Sequence, residues 1–476
     1  MIVLLMVILI VVVLFLICLI RTLMIKPTQA ITAKVELKAD DRAKAYGENL
    51  GEMIRIETIS DRHDLDREKF YKFHEKLEEL FPKIHQHCEK IDFNGSLLFK
   101  WPGKSDQEPT MFMSHFDVVE ASGTWTHDPF GGEVIDDKVW GRGTMDTKGN
   151  LFCIMQSIEE LITEGHKPDH DVYIASSCTE EVSGDGAPQT AQYLKEKGIK
   201  LRYLLDEGGM ILERPIGGVE GTYGMVGVLE KGYGDLKFTA RGQGGHSSTP
   251  TKHTPLARLA AFVNEAETTQ VFKPHLNETM AEMLRRFAPN MKFGVKFLLV
   301  NLWLFKPVFM KLIPALGPKL EAMSKTTLAF TMASGSNGYN VIPQEAYVTG
   351  NLRYSHHQAT EESIRIMTEL AKKHDIETEV IEQHHPCPEV SYTSDAFKGL
   401  EEVMAEIYPG VDLIPYVMTG ATDCKFYTEV CDNMLRFAPL YIKHHQVESI
   451  HGLDENIDIA SLSAGIDFYK TLIKKG

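Results

Sequence analysis

The side chains of this chain that could do chemistry together are imidazoles and carboxylates. His115 and Asp117 form an H-x-D pair in MFMSHFD, and Asp146 sits in GRGTMDTKGN. Glu180 and Glu181 are adjacent in SSCTEEVSGDG, Asp206 closes the apolar part of LRYLLDEGG, and His451 lies in ESIHGLDE. Such donors without a thiolate suit zinc first, with cobalt or manganese as alternatives. Two ions a few ångströms apart need a shared ligand, and one Asp can bridge them. A pair of ions so held activates water and polarises a carbonyl together. Each residue alone has an ordinary explanation. A lone His at a strand end is usually structural, an Asp before a helix is usually an N-cap, and a Glu-Glu pair is usually a solvated face. The combination carries the reading.

The elements around these residues are those of an α/β protein. MFMSHFD (111–117), DVYIASSCTEE (171–181) and LRYLLDEGG (201–209) read as strands, and NLFCIMQSIEELITEG (150–165) has the apolar spacing of a helix. Strand–helix alternation predicts a mostly parallel sheet. The polar residues then fall at strand C-termini, where open α/β sheets place their sites. A catalytic domain is expected over 41–227 and again over 387–476. Between them, 228–386 reads as a smaller α+β unit. Its strands are expected in KGYGDLKFTARGQGGHSS, EAYVTGNLRYS and IETEVIEQ, and its helix in TEESIRIMTELAKKH. Within it, VKFLLVNLWLFKPVFMKLI is strongly apolar but broken by Lys296, Asn301, Lys306 and Pro307. That segment reads as a hydrophobic lid, a dimer surface or core helix rather than a second membrane span.

The motifs HFDVV, GRGTMDTKG, TEEVSGDG, DEGG, GGHSSTP and the late HG stand in the order seen in a known zinc metallopeptidase family. From about residue 45 onward the chain resembles the family of aminoacylase, carboxypeptidase S, glutamate carboxypeptidase and succinyl-diaminopimelate desuccinylase. It is most similar to the carboxypeptidase-S-like branch, which includes hydrolases of N-fatty-acyl amino acids. The resemblance implies that His115 and Asp206 hold one metal ion, Glu181 and His451 the other, and that Asp146 bridges both. It implies that Asp117 orients His115 and that Glu180 is the general base. Adjacent residues of a regular strand point to opposite faces, so the Glu180–Glu181 pair requires an irregular strand end. The resemblance further implies substrate contacts from His246, through a developing oxyanion, from Arg353 to a substrate carboxylate, and from Asn340 and Gly420. Read without it, Arg353 is a surface ion-pair residue and Gly420 a turn glycine. The loop TGATDCKF departs from the family's usual G-G-T-D-A form, and the position of Asp206 is Glu in some branches.

Length and composition frame this reading. The chain has 476 residues, enough for two domains, and a formal net charge of −16. That charge argues against a nucleic-acid-binding surface and favours divalent cations. The seven cysteines include no CxxC pair, so free thiols are expected rather than a disulfide framework. Ile2 to Ile20 is an unbroken apolar run, long enough at ~1.5 Å per residue to span roughly 28 Å of bilayer. No basic residue precedes it and no A-x-A follows it directly, which favours an uncleaved single-pass anchor over a cleaved signal peptide. A polar linker over 21–40 follows. Arg21, Lys26 and Lys34 lie after the run, so the positive-inside rule places the catalytic part on the cytoplasmic face. The predicted enzyme hydrolyses an N-acyl amino acid or the C-terminal bond of a small peptide, with a homodimer formed through the inserted unit. A dipeptidase or strict carboxypeptidase is the alternative within enzymes. A catalytically dead membrane receptor or scaffold on the same fold is the alternative outside them.

Overall fold

In the computed structural model, alternate residues of the central strands go to opposite faces of one large sheet. Phe99, Trp101, Phe112, Val172, Ile174 and Leu205 enter one hydrophobic core. Leu98, Met111, Met113, Tyr173, Ala175 and Leu204 enter another. Both faces are covered, which is why these strands read as continuous apolar runs. The structure describes residues 1–476 except 32, 34, 36, 64 and 65, so Lys34, one of the cations after the apolar run, lies outside the described residues.

The sheet runs in the order Glu89–Phe93, Ser96–Trp101, His170–Ser176, Ser105–Met113, Tyr203–Asp206, Met434–Arg436, Thr222–Glu230, Ile211–Glu213, Tyr441–Ile442. Asp412–Met418 pairs in parallel with Thr222–Glu230. The centre, from His170–Ser176 to Met434–Arg436, is parallel. The sheet as a whole is mixed, which corrects the expectation of a mostly parallel one. Its first hairpin is antiparallel because Phe93 and Ser96 are joined by Asn94 and Gly95 alone, both with positive φ. A two-residue Asn-Gly turn of that kind can only fold a hairpin. Lys148–Thr163, Asp41–Ile54 and Ile459–Lys475 pack together on one face, and Gly186–Glu196 lies on the other.

Residues between the two parts of this sheet form a second, four-stranded antiparallel sheet. Its order is Thr327–Ser334, Glu345–Tyr354, Gly232–Arg241, Glu377–His384. The helices Pro255–Thr268 and Thr360–Lys373 bury Leu259, Phe262, Met367 and Leu370 against its Leu236, Phe238 and Leu352. The apolar segment behaves differently from the rest of this stretch. Glu278–Phe287, Phe293–Val300 and Leu302–Leu312 pack on the large sheet, sharing a core with Tyr223, Met225 and Ile414.

The N-terminal apolar helix runs Ile2–Met24, four residues past Ile20. It is long and apolar enough to cross a membrane, and most of it is exposed. Cys18 and Thr22 are its buried residues. The cysteines are free.

Candidate active site

The C-terminal ends of the parallel strands carry the predicted residues to one place. His115 lies two residues past Met113, where Ser105–Met113 ends. Asp206 is the last residue of Tyr203–Asp206. The strand His170–Ser176 stops early, so Glu180 and Glu181 stand in a turn rather than on the strand. Asp146 precedes the helix Lys148–Thr163, and His451 comes from a turn near the C-terminus with φ of 57°.

Asp146 occupies the centre. Its Oδ1 is 3.1 Å from His115 Nε2 and its Oδ2 is 2.9 Å from His451 Nε2. The two oxygens of one carboxylate thus face two imidazoles from opposite ends of the chain. Ligand atoms of His115, Asp146 and Glu181 all lie within 4.8 Å of one another. Glu181 Oε1 is 3.3 Å from His451 Nε2, yet this buried oxygen has no hydrogen-bond partner among the described residues. A buried acceptor left unpaired is costly. A cation would satisfy it, and the donor set fits divalent metal.

Asp117 is fully buried and holds this arrangement from behind. Its backbone carbonyl oxygen is 2.9 Å from His115 Nδ1. Its carboxylate accepts the backbone N–H groups of Glu180 and Glu181, each at 3.1 Å, and the Ser60 hydroxyl at 2.6 Å. Those bonds fix the turn that lets two neighbouring Glu residues share one site.

The electrostatics are those of crowded, desolvated acids. Burial pushes the Glu180 carboxyl well above its ordinary range; His115 opposes this, while Asp423 and Glu207 add to it. Burial also raises Glu181. Asp146 goes the other way: burial would raise it, but hydrogen bonds from His115 and His451 hold it below the usual carboxylate range. The carboxylates of Asp146 and Glu181 beside its ring lift His451 to about 10. For His115, burial works against the charged form, yet its bonds to Asp117 and Asp146 outweigh it and raise the ring well above the ordinary value.

A cavity of about 430 Å³ opens beside this cluster. Asp146, Glu180, Glu181 and His451 line it, as do Arg353 and Gly420. The Arg353 guanidinium lies 4.8 Å from the centre of the Tyr233 ring. It forms no ion pair among the described residues. His246 and Asn340 are placed elsewhere. They meet each other, since Ser247 N–H donates to the Asn340 carbonyl and His246 pairs with Val341. Both are exposed and neither lines the cavity.

Three contributors were not singled out from the sequence. Glu207 lines the cavity, and burial followed by the charge of Asp146 pushes its carboxyl well up. Its neighbour Asp206 is already engaged, accepting from Glu207 N–H at 2.9 Å and Cys424 N–H at 3.0 Å. Alternation along a strand end was the available signal, since of two adjacent acids Glu207 lines this cavity and Asp206 a smaller pocket with His115 and Glu180. Glu455, wholly buried, accepts the backbone N–H groups of Gly143, Met145 and Asp146 and pairs with Arg142 at 2.8 Å. It ties the His451 segment to the Asp146 loop. Arg62 adds a further cation to the cavity wall.

The model of Peptidase family M20/M25/M40 matches residues 111–475. Probable carboxypeptidase S-like 2 of Dictyostelium discoideum is 33% identical over 93% of this chain and 88% of its own length. The N-fatty-acyl-amino acid synthase/hydrolase PM20D1 of Xenopus tropicalis is 32% identical over 92% of this chain and 86% of its own. Among solved structures, the metallo-carboxypeptidase Sso-CP2 of Sulfolobus solfataricus superposes with a TM-score of 0.68 at 16% identity, covering 91% of this chain and 99% of that one. The YXEP protein of Bacillus subtilis, described as a dinuclear metal binding peptidase, gives a TM-score of 0.54 at 13% identity over 91% of this chain and 98% of that one. At those identities the two structures show the shared fold.

Proposed function

Since the chain belongs to peptidase family M20/M25/M40 and is a metal-dependent hydrolase of amide bonds, we propose that it cleaves the amide joining an acyl group or a short peptide to an amino acid with a free carboxylate. The observation that carries this is one cavity with Asp146 between two imidazoles on one wall and an unpaired Arg353 on another. His115, Asp146, Glu181 and His451 would hold two divalent ions, zinc first, with Glu207 or Asp206 completing the set. When bound, the ions supply Lewis acidity towards the carbonyl and make water easier to deprotonate.

The protein's own groups do the rest. Glu180 takes a proton from the attacking water and returns it to the leaving nitrogen. Arg353 orients the substrate by its carboxylate, a bidentate role suited to a guanidinium already held over Tyr233. Gly420 brings backbone to the cavity without a side chain. His246 and Asn340 sit at an exposed end of the four-stranded unit, which supports that unit as a lid and dimerisation domain whose His246 serves the cavity of a second copy. Ile2–Met24 is read as an uncleaved anchor, with the catalytic part on the cytoplasmic side.

The test is a panel of N-acyl amino acids, graded in acyl length, beside dipeptides, each with a free or an amidated carboxylate and with zinc, cobalt or manganese. N-acyl amino acids should be preferred, and blocking the carboxylate should lower kcat/KM by about 10- to 100-fold, the worth of a charged hydrogen bond. Arg353→Ala should erase that discrimination. Indifference to the free carboxylate in the unaltered enzyme would overturn the reading, and preference for dipeptides would favour a dipeptidase or strict carboxypeptidase.

A further inference from the structure

The apolar segment is joined to the N-terminal helix, and the contact lies at a telling height. The Phe297 ring is 5.8 Å from that of Phe15. Asn301 Nδ2 donates to the Cys18 carbonyl at 3.2 Å and to the Thr22 hydroxyl at 3.1 Å. Lys296 Nζ donates to the Ile25 carbonyl. These bonds are internal to the fold and bury Cys18, Thr22 and Asn301. At ~1.5 Å rise per residue, Phe15 lies roughly 9 Å before Arg21, well inside the apolar run. A bilayer crossed by Ile2–Ile20 therefore contains Phe15 and Cys18. Whatever covers those residues lies at the same depth.

The rest of the segment suits that position. Phe293–Val300 and Leu302–Leu316 are two short helical stretches bent by 117°, so they form a wedge. One side of the wedge fills the core beneath the large sheet through Leu299, Phe309 and Ile313. Its other side leaves Phe293, Trp303, Val308, Leu312 and Leu316 exposed, Trp303 by 56%. In a chain of net charge −16, residues 288–320 contain five lysines and no Asp or Glu. Lys292, Lys306, Lys311 and Lys319 are exposed. Apolar and aromatic side chains interleaved with lysine form an interfacial surface that attracts anionic headgroups.

The geometry points to the wedge Phe293–Leu316 being embedded in the near leaflet beside the anchor, as a second membrane contact that binds anionic lipid. This rests on reading Ile2–Met24 as an uncleaved anchor. Continuity with that helix, together with the sign of the charge, selects a bilayer over a second protein chain. The wedge fixes the catalytic body against the membrane surface, where an amphiphilic N-acyl amino acid partitions.

Trp303 is the probe. The full chain is reconstituted in phosphatidylcholine vesicles containing phosphatidylserine, with or without brominated acyl chains. The emission of Trp303 is taken as the difference between the unaltered protein and Trp303→Phe, a substitution at an exposed position. Bromolipid should extinguish that difference signal, aqueous acrylamide should leave it, and Lys311→Glu with Lys319→Glu should weaken the quenching in anionic vesicles. Protein that stays with vesicles after an alkaline wash while Trp303 is quenched by acrylamide and not by bromolipid would overturn the wedge and spare the anchor. Trp303 shielded from both quenchers would assign the surface to a second chain and also overturn it. Release of the protein by the alkaline wash would remove the anchor and this inference with it.

Discussion

Asp117 has two carboxylate oxygens, and the backbone N–H groups of Glu180 and Glu181 each take a different one. A buried carboxylate so engaged fixes the turn, and the turn gives adjacent Glu residues different tasks. Glu181 presents an unpaired oxygen towards Asp146 and His451, while Glu180 faces the cavity with its Oε2 3.9 Å from His115 Nε2. Removing the charge from Glu180 alone should therefore separate chemistry from metal binding. Glu180→Gln is expected to lose about 10²- to 10⁴-fold in kcat, the usual range for a general base, with metal content unchanged by elemental analysis. Near-normal turnover would assign the proton transfer to another group. The pair Asp206 and Glu207 separates in the same way. Asp206 accepts Cys424 N–H and lines a small pocket with His115 and Glu180, whereas Glu207 lines the larger cavity with Asp146. Glu207→Gln should lower metal occupancy with little change in unfolding, and Asp206→Asn should lower the unfolding midpoint more. The opposite order would assign the ligand role to Asp206.

The elements that position these residues are held by contacts remote from them in sequence. The Asp146 loop hangs from Glu455, which accepts three of its N–H groups and neutralises the buried Arg142. Glu455→Gln leaves Arg142 without its counter-charge, at a cost of about 3–5 kcal/mol. It should also loosen metal binding by about 10- to 100-fold, because the loop that orients the central ligand is no longer fixed. Urea unfolding and metal titration would read both; normal metal affinity would reduce Glu455 to a structural role. This support is what the sequence hides. The central strands, the helix after Asp146 and the cluster of acids were legible because they follow local periodicity and motif order. The central strands were read as running to 117, 181 and 209, and they end at Met113, Ser176 and Asp206. There the acids leave the ladder for turns set by Asp117, a contact that no window of sequence contains. The antiparallel edge was not read, although FNGS at 93–96 carries its signal, an Asn-Gly turn that favours a hairpin. The packing of the apolar segment on the large sheet was not legible, because its hydrophobicity says that it is covered and not by what.

At the scale of the whole molecule, the acids and imidazoles make stability depend on pH in a way that metal reverses. His451 is raised from 6.5 to about 10 by the neighbouring carboxylates of Asp146 and Glu181. A group raised in the folded state stabilises fully below its unfolded value, and that contribution is lost as pH climbs through the folded value. Glu180 and Glu207, raised by burial, act in the same direction from the carboxylate range upward. The chelated protein should therefore lose stability at the site between pH 6.5 and 10. Metal binding requires deprotonated ligands, so its contribution grows over the same interval. Lys148 and Lys231, pushed down to about 7 by burial, work the other way, since the unfolded chain binds their protons more readily. They do so in both forms and cancel in the difference. The quantity to read is the gap in Tm between zinc-loaded and EDTA-treated full-length protein in detergent, followed by scanning fluorimetry. It should widen steadily with pH across that window and flatten in His451→Ala. A gap independent of pH would mean that the imidazole–carboxylate contacts of the metal-free site do not form in solution, and the bridged arrangement around Asp146 would fall with them.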